Sequence, residues 1–121
     1  MKRDIDLVRQ ILLAMESHPS GFAPHKFTIV GYHEDVIGHH VYLMEQAGLI
    51  TAVSMTGFGS ASPVAQPLTI TWRGHDFLDA VRDETVWSKV KIELKDKGKT
   101  LPFFLLHALA LTIAADLAGS K

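Results

Sequence analysis

An α+β fold, with helices gathered around one long β-hairpin, is what this chain predicts, and three observations carry the prediction. Apolar residues recur at helical spacing near the start of the chain, in residues 34–47 and again from residue 72 onward. Between the last two of these runs lie two β-type segments, GLITAVSM and LTITW, joined by the Gly, Ser and Pro-rich stretch TGFGSASPVAQP. The chain has 121 residues, 47% of them hydrophobic and 21% charged, which suffices for one core and is too short for two comfortable ones.

The elements follow in order. Ile5, Val8, Ile11, Leu12 and Met15 mark a first helix over about residues 3–17, with Asp4 and Asp6 at its start, where the helix dipole favours negative charge. His18-Pro19-Ser20-Gly21 stops it, because a proline biases the preceding residue away from helix. KFTIV, residues 26–30, reads as a short strand bounded by Gly31. A second helix runs from Glu34 toward Gly48, with Ile37, Val41 and Met44 inward and Asp35, Gly38, His39, Tyr42 and Gln46 outward. After the hairpin with its loose tip, Thr71 is the expected N-cap of a helix burying Trp72, Phe77, Leu78 and Val81. The next helix, residues 84–97, puts Val86, Trp87, Val90 and Leu94 on one stripe and is ended by Gly98. Thr100 and Pro102 then open a last helix.

The order helix, short strand, helix, hairpin, helix is that of a winged helix-turn-helix whose second helix is reduced, with extra helices at the C-terminal end. Residues 1–100 are read as that winged-helix-like domain and residues 101–121 as an apolar helix of the same domain. HHVYLMEQAGLI and LTITWRGHDFLD resemble winged-helix signatures in which a helix ends at Gly-Leu-Ile and enters the wing. More specifically, MKRDIDLVRQIL, GY, HHVYLMEQAGL, LTITWRGHDFLDAVRDETVW and the lysine-rich helix after them resemble, in that order, a bacterial and phage-associated family known as domain of unknown function 2513. The resemblance covers most of the chain. It implies a cytoplasmic bacterial or prophage protein and brings no activity or catalytic residue with it.

Charge decides between the functions open to such a fold. Twelve basic against 13 acidic residues leave a net charge of -1, so no overall field draws the chain to nucleic acid or an anionic membrane. Phosphate contacts from Lys and Arg supply most of the affinity for DNA, roughly 6–10 of them in a typical complex. The outward face of residues 34–46 offers His39, Tyr42 and Gln46 among acidic neighbours, and residues 46–72 contain no formal charge at all. A wing without cations has only hydroxyls and amides to lay along a phosphate backbone. Lys89, Lys91 and Lys95 are the possible phosphate contacts, in a stretch with Lys97 and Lys99 where Glu84, Glu93 and Asp96 are interleaved.

Other chemistries have less to stand on. With no cysteine, disulfides, thiolate zinc sites and a cysteine nucleophile are excluded, which fits a reducing compartment. His33, His39, His40 and the pair His75-Asp76 are metal-ligand types, but adjacent His39 and His40 point about 100° apart on a helix, and no metal site is expected. Ser54, Ser60 and Ser62 lie in or beside the wing with no base near them in sequence, so no catalytic residue, cofactor or small-molecule substrate is assigned. Phe58 at the tip is either an anchor for a protein partner or folds back on the sheet.

MKRDIDLVRQ lacks the apolar run of a secretion signal, and residues 101–118 fall slightly short of the ~20 a bilayer needs and carry His107 and Asp116. No membrane partner is expected. Phe103, Leu106, Ala110, Ile113 and Leu117 make one apolar stripe of the last helix, and Phe104, Leu105, Ala108, Leu109 and Leu111 extend it around most of the cylinder. A helix apolar nearly all round is commonly covered by a two-fold partner, so a homodimer through Phe103, Phe104, Leu106, Leu109 and Ile113 is expected. The sequence thus predicts a non-enzymatic, cytoplasmic interaction protein that holds another protein through Gly38, His39, Tyr42, Gln46 and Phe58. The alternative is a dimeric DNA-binding regulator.

Overall fold

The computed structural model of the chain describes residues 1–24, 27–97 and 101–119. Among them are five helices and two strands in the order α1 (Ile5–Glu16), α2 (Glu34–Gln46), β1 (Ile50–Ser54), β2 (Ala65–Ile70), α3 (Trp72–Val81), α4 (Glu84–Lys97) and α5 (Phe103–Gly119). The fold is α+β, and the chain divides into two compact units, residues 1–75 and 76–121.

In the first unit α1 and α2 pack on one another and on the hairpin. Leu7, Ile11, Leu12 and Met15 of α1, Val41 and Met44 of α2, and Leu49 and Ile50 at the entry to β1 are buried there. Asp4 caps α1, its carboxylate accepting from the Leu7 N–H at 3.2 Å, so the helix starts after it. At the other helix, Gly48 adopts φ +77, the left-handed conformation that glycine reaches without steric cost. The Gly48 N–H then reaches the Glu45 carbonyl at 2.9 Å and the Leu49 N–H the Met44 carbonyl at 3.0 Å. Carbonyls that the last turn of α2 leaves without partners are satisfied in this way, and the chain swings directly into β1.

β1 and β2 are antiparallel, with Ile50 opposite Ile70, Thr51 opposite Thr69 and Ala52 opposite Pro67, so Leu68 is an extra residue in β2. The bulge lets a proline, which has no N–H, sit inside a strand. Side chains serve amides beside the bulge: the Thr69 N–H donates to Thr51 Oγ1 (3.1 Å), and the outward Ala52 N–H donates to Glu45 Oε2 (3.1 Å).

Three readings of the sequence change here. The TGFGSASPVAQP segment is shorter and more ordered than a loose loop, since β2 already begins at Ala65. Thr56 Oγ1 accepts from the Val64 N–H (3.0 Å) and donates to the Val64 carbonyl (3.2 Å), closing the neck of the tip. Residues 27–30 are not a strand; the Ala23 N–H reaches the Leu68 carbonyl at 2.7 Å, but an edge interrupted by Pro67 and a bulged Leu68 offers no run of partners for a third strand. Lys26, which begins that predicted strand, lies outside the described residues, as do Gly98, Lys99 and Thr100. Trp72 is 85% exposed rather than buried. It is the first residue of α3 and lies about 160° around the helix from Gly74, on the side away from Phe77, Leu78 and Val81.

The start of α3 is fixed from three sides. The Thr71 N–H donates to the Leu49 carbonyl (3.0 Å), the Thr71 hydroxyl donates to the Gly48 carbonyl, and Thr71 Oγ1 accepts from the Gly74 N–H (3.1 Å). In the second unit, Asp83 caps α4 by accepting from the N–H groups of Thr85 (2.8 Å) and Val86 (3.0 Å). Val86, Trp87 and Val90 are buried along α4, which packs on α5. The Phe77 ring lies 4.8 Å from that of Phe103 and 5.6 Å from that of His107. Pro102 precedes α5 and its carbonyl accepts from the N–H groups of Leu105 and Leu106, both at 3.0 Å.

A Cβ on Gly74 would stand 2.0 Å from the Leu49 carbonyl oxygen and 2.8 Å from Ile70 Cγ2. Both neighbours are held by the hairpin, so neither gives way cheaply. Gly74→Ala is expected to cost about 3 kcal/mol of stability, read as a lowered midpoint in urea unfolding followed by circular dichroism.

Candidate interaction surface

The exposed side of α2 is built from its N-terminus. His33 caps the helix, Nδ1 accepting from the Asp35 N–H at 3.2 Å, and Glu34 and Asp35 occupy the first turn, where the dipole suits them. Two residues of the predicted contact face are taken up by the protein itself. A Cβ on Gly38 would meet the Val64 side chain at 3.2 Å, so the chain entering β2 passes directly over that point of the helix. Next to it, His39 Nδ1–H donates to the Pro63 carbonyl at 2.8 Å, since a carbonyl can only accept. The residues beyond form a row: the His39 and Tyr42 rings stack at 5.9 Å, and the Tyr42 oxygen accepts from Gln46 Nε2 at 3.0 Å. Tyr42 is half-buried and Gln46 exposed.

Phe58 stands fully exposed at the hairpin tip. The turn beneath it is closed by the Ser60 N–H on the Gly57 carbonyl (3.1 Å) and the Gly57 N–H on Ser60 Oγ (3.0 Å), so the ring is presented rather than folded back. Val53 and Met55 are exposed on the same arm. Ser54 and Ser60 serve as turn formers, each accepting a backbone N–H, from Thr56 at 3.4 Å and Gly57 respectively.

In the second unit, Lys89, Lys91 and Lys95 are all exposed, with Glu93 and Asp96 between them. The residues expected to form a dimer contact divide. Leu106 is 1% exposed and Phe103 lies against Phe77, so both are used inside the unit; Leu109 and Ile113 are half-buried, and Phe104 is exposed.

One cluster has no sequence signal at all. His40 is 1% exposed; its Nε2 accepts from the Asp4 N–H (2.9 Å) and its Nδ1–H donates to the Val36 carbonyl (2.8 Å). The Tyr32 hydroxyl donates to Asp4 Oδ2 at 2.8 Å. Asp4 thereby links the start of α1 to α2 and to the turn before it, across 36 and 28 residues of chain. Among the described residues no group of three or more His, Asp or Glu side chains lies together as a metal site, and no helix is long and apolar enough to cross a membrane.

Residues 2–100 match the family described as hypothetical protein DUF2513. The chain belongs to that family. An uncharacterized protein of Haemophilus influenzae is similar to this DUF2513 member over almost the whole of both chains, with 35% identity over 120 residues, 97% of this chain and 98% of the relative. No solved structure matches this DUF2513 chain.

The Tyr32–Asp4 contact gives a pH signature. Burial, the hydrogen bond to the Asp4 carboxylate and the charges of Asp4 and Asp6 push the Tyr32 phenol up to about 12 from 10.0. The folded state therefore holds the phenolic proton more tightly than the unfolded state. The contribution is complete below pH 10 and is lost as pH rises from there through about 12. Tyr32→Phe is expected to cost about 1–2 kcal/mol at neutral pH. The gap to the parent protein should narrow above pH 10 in parallel urea unfolding series.

Proposed function

We propose that this DUF2513 protein is a non-enzymatic, winged-helix-like interaction module of the bacterial or prophage cytoplasm that grips another protein with its hairpin and the Tyr42–Gln46 end of α2. One observation carries the reading: residues 46–72 bear no formal charge, and Val53, Met55 and Phe58 stand exposed within that stretch. A protruding aromatic on a firm turn is the kind of anchor that fills a pocket on a partner protein. It is poorly suited to a phosphate backbone, which calls for cations. Closure of Pro63 and Val64 over His39 and Gly38 supports the same reading, because a helix covered at its second turn is hindered from entering a DNA groove. Affinity capture from a bacterial lysate with nuclease present tests it. Proteins retained by the parent chain are expected to be lost with Phe58→Asp, and a protein set unchanged by that substitution would refute the assignment.

The exposed lysines of α4 favour a second reading, a DNA-binding regulator in which Lys89, Lys91 and Lys95 meet phosphates. Under it, retention on immobilised duplex DNA should fall steeply with added salt, and replacing all three lysines by glutamate should abolish it. Under the first reading duplex DNA is not retained at moderate salt by either protein.

A further inference from the structure

Helix α5 turns one side to solvent, and that side has an internal symmetry. Phe104 (70% exposed), Ala108, Leu111 (52% exposed) and Ala115 are all exposed and follow one another at spacings of four, three and four. This is the seam along which one helix packs lengthwise on another. The opposite side is already used, with Leu106 and Ala110 buried and Phe103 against Phe77. Along the seam bulky and small side chains are placed in a particular order, large at 104 and 111 and small at 108 and 115.

A second α5 laid antiparallel over the first, with the two-fold axis between residues 109 and 110, sets Phe104 against Ala115 of the partner subunit. It sets Leu111 against Ala108 of the partner subunit, and symmetry repeats both pairs. Each knob thus meets a hole. A parallel arrangement would stack Phe on Phe and leave a gap where Ala faces Ala. Within α5 the only Asp, Glu, Lys or Arg is Asp116, which lies roughly 110° around the helix from the seam, so the contact buries no charge. Thr112, beside the seam, donates its hydroxyl to the Ala108 carbonyl at 3.0 Å, so it carries no unmet donor into the contact.

The geometry points to a homodimer formed by an antiparallel α5–α5 pair through Phe104, Ala108, Leu111 and Ala115. It uses a different element from the protein-binding surface proposed above and stands or falls apart from it.

Light scattering of the full chain across micromolar concentrations is expected to give twice the chain mass. Phe104→Asp and Leu111→Asp should each give the single-chain mass with an unchanged circular dichroism spectrum, because both side chains are exposed and the fold does not need them. The absence of cysteine from the chain allows the orientation to be read directly. Ala108→Cys and Leu111→Cys proteins, oxidised after mixing, should give a cross-linked dimer far more efficiently than either variant alone. A single-chain mass for the parent protein, a dimer that survives both aspartate substitutions, or cross-linking of each variant alone as efficient as that of the mixture would overturn the proposal.

Discussion

The contact between the backbone of Leu49 and Gly74 governs how the first unit is assembled. At that point the end of α2, both strands of the hairpin and the start of α3 converge within a space that admits no side chain. Everything nearby is arranged to keep them there. The left-handed turn at Gly48 aims the Leu49 carbonyl outward from the helix, and the Thr71 N–H and hydroxyl take the two carbonyls that would otherwise lack partners. Because the hairpin is held at its base by these bonds, its far end is directed along α2, and Val64 comes to rest on Gly38. Residue size at two glycines, more than hydrophobicity, thus sets where the hairpin lies.

That placement and the charge pattern point the same way. A hairpin closed over the second turn of a helix covers part of the surface a groove-reading helix needs, and the absence of formal charge from residues 46–72 leaves the hairpin without cations to hold phosphate. What remains outward is hydroxyl, amide and hydrocarbon. Under the proposed function such a surface would bind by shape and desolvation, with discrimination set by which partner offers a cavity to an aromatic ring. The cations of the chain are concentrated elsewhere, on α4, where acidic neighbours dilute them.

Much of the fold was legible because it rests on local chemistry. The Thr71 cap, the stop at Gly48 and the Val86–Trp87–Val90 stripe of α4 each follow from residue type at a fixed offset, and the structure has all three. The errors arose where identity does not reveal direction. Trp72 is the most hydrophobic-looking member of α3, yet its angular position, set by the requirement that Gly74 face Leu49, turns it to solvent. The run KFTIV has strand composition but faces an edge broken by Pro67 and a bulge. In the candidate site, the row of His39, Tyr42 and Gln46 followed from helical spacing, whereas the covering of Gly38 and the Asp4–Tyr32–His40 links did not. Those contacts join residues far apart in the chain, and nothing local to any of them announces the others.

The bulged hairpin has a consequence for life in a crowded cell. An uncharged, partly apolar two-stranded ribbon is the sort of element that recruits identical strands from neighbouring molecules and grows into fibrils. Here lateral growth sites are already filled at three points on the two edges: the Ala52 amide of β1 by Glu45, the Leu68 carbonyl of β2 by Ala23, and position 67 by a ring that has no amide hydrogen to offer. The ribbon can therefore remain sticky through its side chains while its backbone edges are blunted against polymerisation.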